Sequence, residues 1–146
     1  MDISIRLAQA SDVVTLAELS GQLGYPVAVE EMALRLRRVR DGAVGEVFVA
    51  MAGYDSPILG WTHVVPRLHL EEAPFAELAG LVVADSARSR GVGAALLAAA
   101  EAWARAAGFA MMRVRSNVVR ERAHRFYERA GFQRVKAQAV FHKSLN

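Results

Sequence analysis

The sequence predicts an α+β, or mixed α/β, fold built around one sheet. Three observations predict it. Helix-period and strand-period segments interleave along the chain in the order β-α-α-β-β-β-α-β-α-β-β, which is a layered arrangement on a single sheet. The length, 146 residues, suits one domain over residues 1–146, with no repeat, low-complexity tract or linker. The composition, 53% hydrophobic and 23% charged, is that of a soluble globule able to bury its own core.

Each element has its own local signal. Ile3, Ile5 and Leu7 alternate with polar residues and predict a first strand. Ser11-Asp12 offers a helix start, and Val13, Leu16, Leu19 and Leu23 follow at helical spacing. Gly24-Tyr25-Pro26 breaks that helix, and a second covers about Val29 to Arg40. Three apolar runs, Glu46 to Ala52, Ile58 to Leu70 and Phe75 to Val83, read as an antiparallel meander. Pro66 makes the second run an edge or interrupts it. Gly91 opens a helix with Val92, Leu96, Ala100, Trp103 and Ala107 on one face, ended by Gly108. Met111 to Val114 is a fifth strand. Ala123, Phe126, Tyr127 and Ala130 share a face of a short helix closed by Gly131. Phe132 to Val135 and Ala139 to Lys143 fit two last strands.

Composition excludes several classes. The absence of cysteine rules out a thiolate metal site, a cysteine nucleophile and a disulfide framework. His63, His69, His124 and His142 show no metal spacing, so no metal is expected. The N-terminus lacks a basic and then apolar leader, and no apolar run reaches membrane-spanning length. A cytoplasmic protein with no membrane partner is the expectation. The formal net charge is +3, and sixteen of the eighteen basic residues are arginine. That balance suits an anionic ligand. No aromatic-interleaved basic stretch points to nucleic acid.

The most informative stretch follows the third apolar run. Leu81-Val82-Val83 enters a polar loop that delivers Arg88-Ser89-Arg90-Gly91-Val92-Gly93-Ala94 to a helix start. The first turn of a helix carries N–H groups without intrahelical partners, and its dipole favours negative charge. Glycines let an anion approach that backbone, and Arg88 and Arg90 add phosphate-matching donors. A P-loop would need Gly-Lys-Ser/Thr where Gly93-Ala94-Ala95 stands. A dinucleotide fingerprint would need a third glycine or alanine where Leu96 stands. Pyrophosphate on another carrier is the natural occupant.

Arg88-x-x-Gly91-x-Gly93 resembles the Gln/Arg-x-x-Gly-x-Gly/Ala signature of the GNAT superfamily of acyl-coenzyme A-dependent N-acyltransferases, and the element order is similar over nearly the whole chain. The resemblance implies a mostly antiparallel central sheet splayed between strands 4 and 5 and flanked by four helices. It implies acetyl-coenzyme A as co-substrate, with its pyrophosphate on Arg88 to Ala94 and its pantetheine paired to the backbone of Leu81, Val82 and Val83. Asn117 and the segment Ala123-His124-Arg125-Phe126-Tyr127, closed by Gly131-Phe132, look like the family's second signature. Asn117 would then bond the pantetheine, and Tyr127 would protonate the departing thiolate. The family also implies possible pairing of two copies through C-terminal strands.

The chemistry agrees with those roles. Direct attack of an amine on a thioester needs positioning, carbonyl polarisation and an acid for sulfur, and it needs no cysteine. A tyrosine is protonated at neutral pH and can donate; Tyr127 also shares a face with Ala123 and Phe126, so packing is the lesser alternative and can coexist with the acid role. The candidate base for the amine is Glu77, a lone carboxylate in an apolar strand, or else a solvated group on the sheet's open face. Tyr25, between the first two helices, is the candidate substrate contact. Arg35, Arg37, Arg38 and Arg40 form a basic helix face that is solvated or attracts an acidic substrate. Glu71 and Glu72 decorate a turn, and Trp61 belongs to the core. The leading function is N-acetyl transfer to a primary amine, on a small molecule or a protein. A non-catalytic acyl-coenzyme A-binding or regulatory module on the same fold is the alternative.

Overall fold

The computed structural model describes residues 2–53 and 55–146. The chain falls into two compact units, Met1–Val114 and Arg115–Asn146. The first contains β1 (Ser4–Leu7), α1 (Val13–Gln22), α2 (Val29–Asp41), β2 (Glu46–Met51), β3 (Ile58–Arg67), β4 (Phe75–Val83), α3 (Val92–Ala106) and β5 (Met112–Val114). The second contains α4 (Glu121–Arg129).

The five strands form one sheet in sequence order. β1 to β4 pair antiparallel, and β5 joins β4 in parallel. Alternation along each strand assigns the helices to opposite faces. Val49 pairs with Trp61 and packs with Leu16 of α1 and Leu36 of α2. Ala50 pairs with Gly60, where a Cβ would lie 3.0 Å from Leu96 and 3.2 Å from Val92 of α3. The α3 face is the tighter, with Val92, Leu96 and Ala100 at 1% exposure or less. Ala104, not Ala107, completes that buried stripe, and Trp103 is half-buried at its margin.

Asp12 stands at the N-terminal end of α1 as expected, but its carboxylate turns backward. It accepts the Gln9 N–H at 2.7 Å and pairs with Arg6 at 2.7 Å. Pro66 lies inside β3 without breaking it. The β2 partner ends at Glu46↔Val64, so β3 is locally an edge on that side at Pro66. The strands expected at Phe132–Val135 and Ala139–Lys143 do not form. A strand needs a neighbouring ladder and a surface for its apolar face. Val135, Val140 and Phe141 are 82%, 77% and 90% exposed, so these residues have gained neither.

Candidate active site

The loop expected to hold an anion leaves the end of β4. Ala84 N–H donates to Leu59 O at 2.7 Å, and a single 3-10 turn, Asp85–Ala87, follows. Asp85 ties that turn down twice: its N–H donates to Gln22 Oε1 at 3.1 Å, and its carboxylate pairs with Arg88 at 2.9 Å. Ser89 and Gly91 then adopt left-handed φ values of 63° and 85°. A Cβ on Gly91 would meet only Ile3 Cδ1 at 3.9 Å, so the dihedral, not crowding, favours glycine there. Val92 is buried while Arg88, Ser89, Arg90, Gly91 and Ala94 are exposed. The first turn of α3 is thereby anchored from below, with its loop at the surface and its amides disposed for an anion.

The strand leading into this loop changes its hydrogen-bonding side. In a strand, the N–H and C=O of one residue point the same way, and successive residues alternate. Ala76 N–H donates toward β5, to Met111 O at 3.0 Å, whereas Ala84 N–H donates toward β3. Both positions are even, so an inversion lies between them. It is a β-bulge: His63 opposes Gly80 and Val64 opposes Leu78, leaving Ala79 as the extra residue. Above the bulge, Gly80, Val82 and Ala84 turn their backbones toward β3, and Leu81 and Val83 turn theirs away. β5 pairing stops at Leu78↔Val114. Of the three residues expected to present backbone, the sheet register thus turns Leu81 and Val83 outward and Val82 inward.

Glu77 precedes the bulge and is 5% exposed, so it is not the solvated carboxylate that its polarity also allowed. Its Oε2 accepts from Arg67 Nε at 3.0 Å and Nη2 at 2.7 Å. Neighbouring it, Arg113 stacks 3.9 Å over the Phe75 ring and pairs with Glu72. Arg113, then His69, hydrogen-bonds the Glu72 carboxylate and pushes its pKa down to about 2. Glu72 therefore does more than decorate a turn; it ties the β3–β4 connection to β5. Arg67 was not singled out in the sequence. Its signal was there: a lone arginine and a lone glutamate in adjoining apolar runs, placed across a hairpin.

On the α1/α2 face, a cavity of about 160 Å³ is lined by Ser20, Met32, Arg35, Trp61 and His63 among others. Trp61 packs against both core clusters and also borders this cavity, with its ring facing Gly80. His63 Nε2 donates to Val44 O at 3.1 Å, and burial lowers its pKa, favouring the neutral ring. Tyr25 is 61% exposed, yet its backbone is pinned: Ser20 Oγ donates to Tyr25 O at 2.7 Å. Of the basic helix face, Arg35 pairs with Glu31, and Arg40 donates to Ala8 O.

Asn117 and Tyr127 both lie in the second unit. Asn117 Oδ1 accepts the Val119 N–H at 3.1 Å, and its C=O accepts from His124 Nε2 at 2.9 Å. Tyr127 lies edge-on to Phe126 and Phe132, with ring centroids 5.2 Å and 5.6 Å away. Burial raises its pKa above the ordinary tyrosine value, with Arg120 opposing. The phenol is therefore neutral and proton-bearing at physiological pH.

Comparison with known proteins gives the family. The acetyltransferase (GNAT) family model matches residues 15–132. An aminoglycoside N(6')-acetyltransferase type 1 of Stenotrophomonas maltophilia is 31% identical over 146 residues, covering 97% of this chain and 94% of that one. An aminoalkylphosphonate N-acetyltransferase of Salmonella typhimurium is 34% identical over 88 residues, 60% of this chain and 57% of the relative. Among solved structures, the aminoglycoside N-acetyltransferase AAC(6')-Iy in complex with CoA superposes with a TM-score of 0.85 at 20% identity, covering 99% of this chain and 96% of that chain. The bulged strand, the glycine-led helix and these matches converge: the chain belongs to the GNAT acetyltransferase family and is an N-acetyltransferase.

Proposed function

We propose that the chain moves the acetyl group of acetyl-coenzyme A directly to the primary amine of a small molecule. The observation that carries this reading is the inverted end of β4, where outward-facing Leu81 and Val83 run into the anion cradle at Gly91. Arg88 to Ala94 receive the pyrophosphate, and the backbones of Leu81 and Val83 pair with the pantetheine amides. Asn117 adds a side-chain contact by its place in the second signature. The family match runs through both compact units, which supports one domain over residues 1–146.

In the reaction, the amine loses its proton toward Glu77, directly or through water, and attacks the thioester carbonyl carbon. The C–S bond breaks, and the thiolate takes the phenolic proton of Tyr127. The place of buried Glu77 just before the bulge supports its assignment, and the neutral phenol of Tyr127 supports the acid role. The acceptor approaches on the α1/α2 face, past Tyr25 and the cavity beside Trp61 and His63. Both named relatives act on small-molecule amines, which favours that class over a protein amine.

Thiol release from acetyl-coenzyme A across a panel of amines tests the reading. Amine-dependent release is expected. Tight binding of acetyl-coenzyme A without release for any amine would instead support the regulatory module. We further infer that two copies pair through the exposed segment around Val135, Val140 and Phe141, which carries strand-forming residues without a ladder.

A further inference from the structure

We propose that Thr62 is a positioning residue for the acyl donor: its hydroxyl locks the Gly80–Leu81 peptide so that Leu81 N–H faces the cofactor. The inference rests on the transferase reading of β4. Thr62 is 0% exposed, on the central strand β3, opposite Leu81. Its Oγ1 donates to Gly80 O at 2.7 Å. Gly80 C=O and Leu81 N–H belong to one planar trans peptide, so they point in opposite directions. Holding the carbonyl toward β3 therefore aims the amide away from β3, past the last β5 pair.

A bulge creates the need for such a lock. Ala79 and Gly80 both face one residue's worth of partner strand, so the ladder is disturbed there. Gly80 brings no side chain to fix the backbone. Its missing Cβ is required, because that atom would stand 2.9 Å from the Trp61 ring. The peptide most in need of orientation is thus the one whose carbonyl meets a fully buried hydroxyl. A hydroxyl in such surroundings is satisfied only by this bond among those seen.

The test is Thr62→Val, which keeps the shape and removes the donor, with Thr62→Ser as the rescue and Thr62→Ala as a second variant should the valine not fold. Two ligands are titrated by calorimetry: acetyl-coenzyme A, and 3′-phospho-ADP, which has the pyrophosphate but no pantetheine. Thr62→Val is expected to weaken acetyl-coenzyme A about tenfold, the effect of one hydrogen bond, and to leave 3′-phospho-ADP unchanged. Thr62→Ser should restore the first affinity. Equal weakening of both ligands, or of neither, overturns the proposal. Failure of the wild-type chain to bind acetyl-coenzyme A would remove the transferase reading itself, a result distinct from an unaffected valine variant.

Discussion

At the scale of single residues, the buried charges set the tests. Tyr127→Phe removes the proton source while keeping the ring between Phe126 and Phe132. Turnover should fall about 10²–10⁴-fold with acetyl-coenzyme A affinity retained, as for loss of a general acid. Steady-state rates and a binding titration check both halves. Arg67→Met removes both charge-assisted hydrogen bonds from Arg67 to the buried Glu77 carboxylate and should cost about 1–3 kcal/mol in urea unfolding. Asp12 gives a pH signature. Arg6 hydrogen bonding, partly offset by burial, lowers its pKa in the folded chain. Its stabilisation is then fully present above about pH 4 and lost as pH falls through the folded value. Wild type should lose thermal stability over that acid window more than Asp12→Asn does.

At the scale of elements, glycine separates dihedral from space. Gly91→Ala puts a Cβ into open surroundings but keeps a left-handed φ, so it should cost only about 1–2 kcal/mol. Its effect on 3′-phospho-ADP binding reports whether the helix start is the anion site. The Gly91 loop was legible in the sequence because glycine and arginine state their chemistry locally. The bulge was not. Ala79 is an ordinary residue in an apolar run, and only pairing register shows that it has no opposite number. Arg67 escaped for the same reason: its meaning depends on Glu77 across the hairpin.

At the scale of the whole molecule, the C-terminal segment is the unsettled surface. Val135, Val140 and Phe141 stay exposed in a chain whose strand residues are mostly covered. Light scattering on the purified chain should give twice the 15.9 kDa chain mass, and Phe141→Glu should shift it toward the single-chain value. A single-chain mass for the wild type would reject pairing.

The sequence by itself determined the element order as far as α4 and marked Arg88 to Ala94, Glu77, Asn117 and Tyr127 as site candidates, because periodicity and local motif encode them within a few turns of chain. Tertiary structure alone decided which backbone groups face outward on β4, that Glu77 is a buried partner of Arg67, and that Thr62 holds the Gly80 carbonyl. Those are facts of register, and register is settled only when one strand is laid against another.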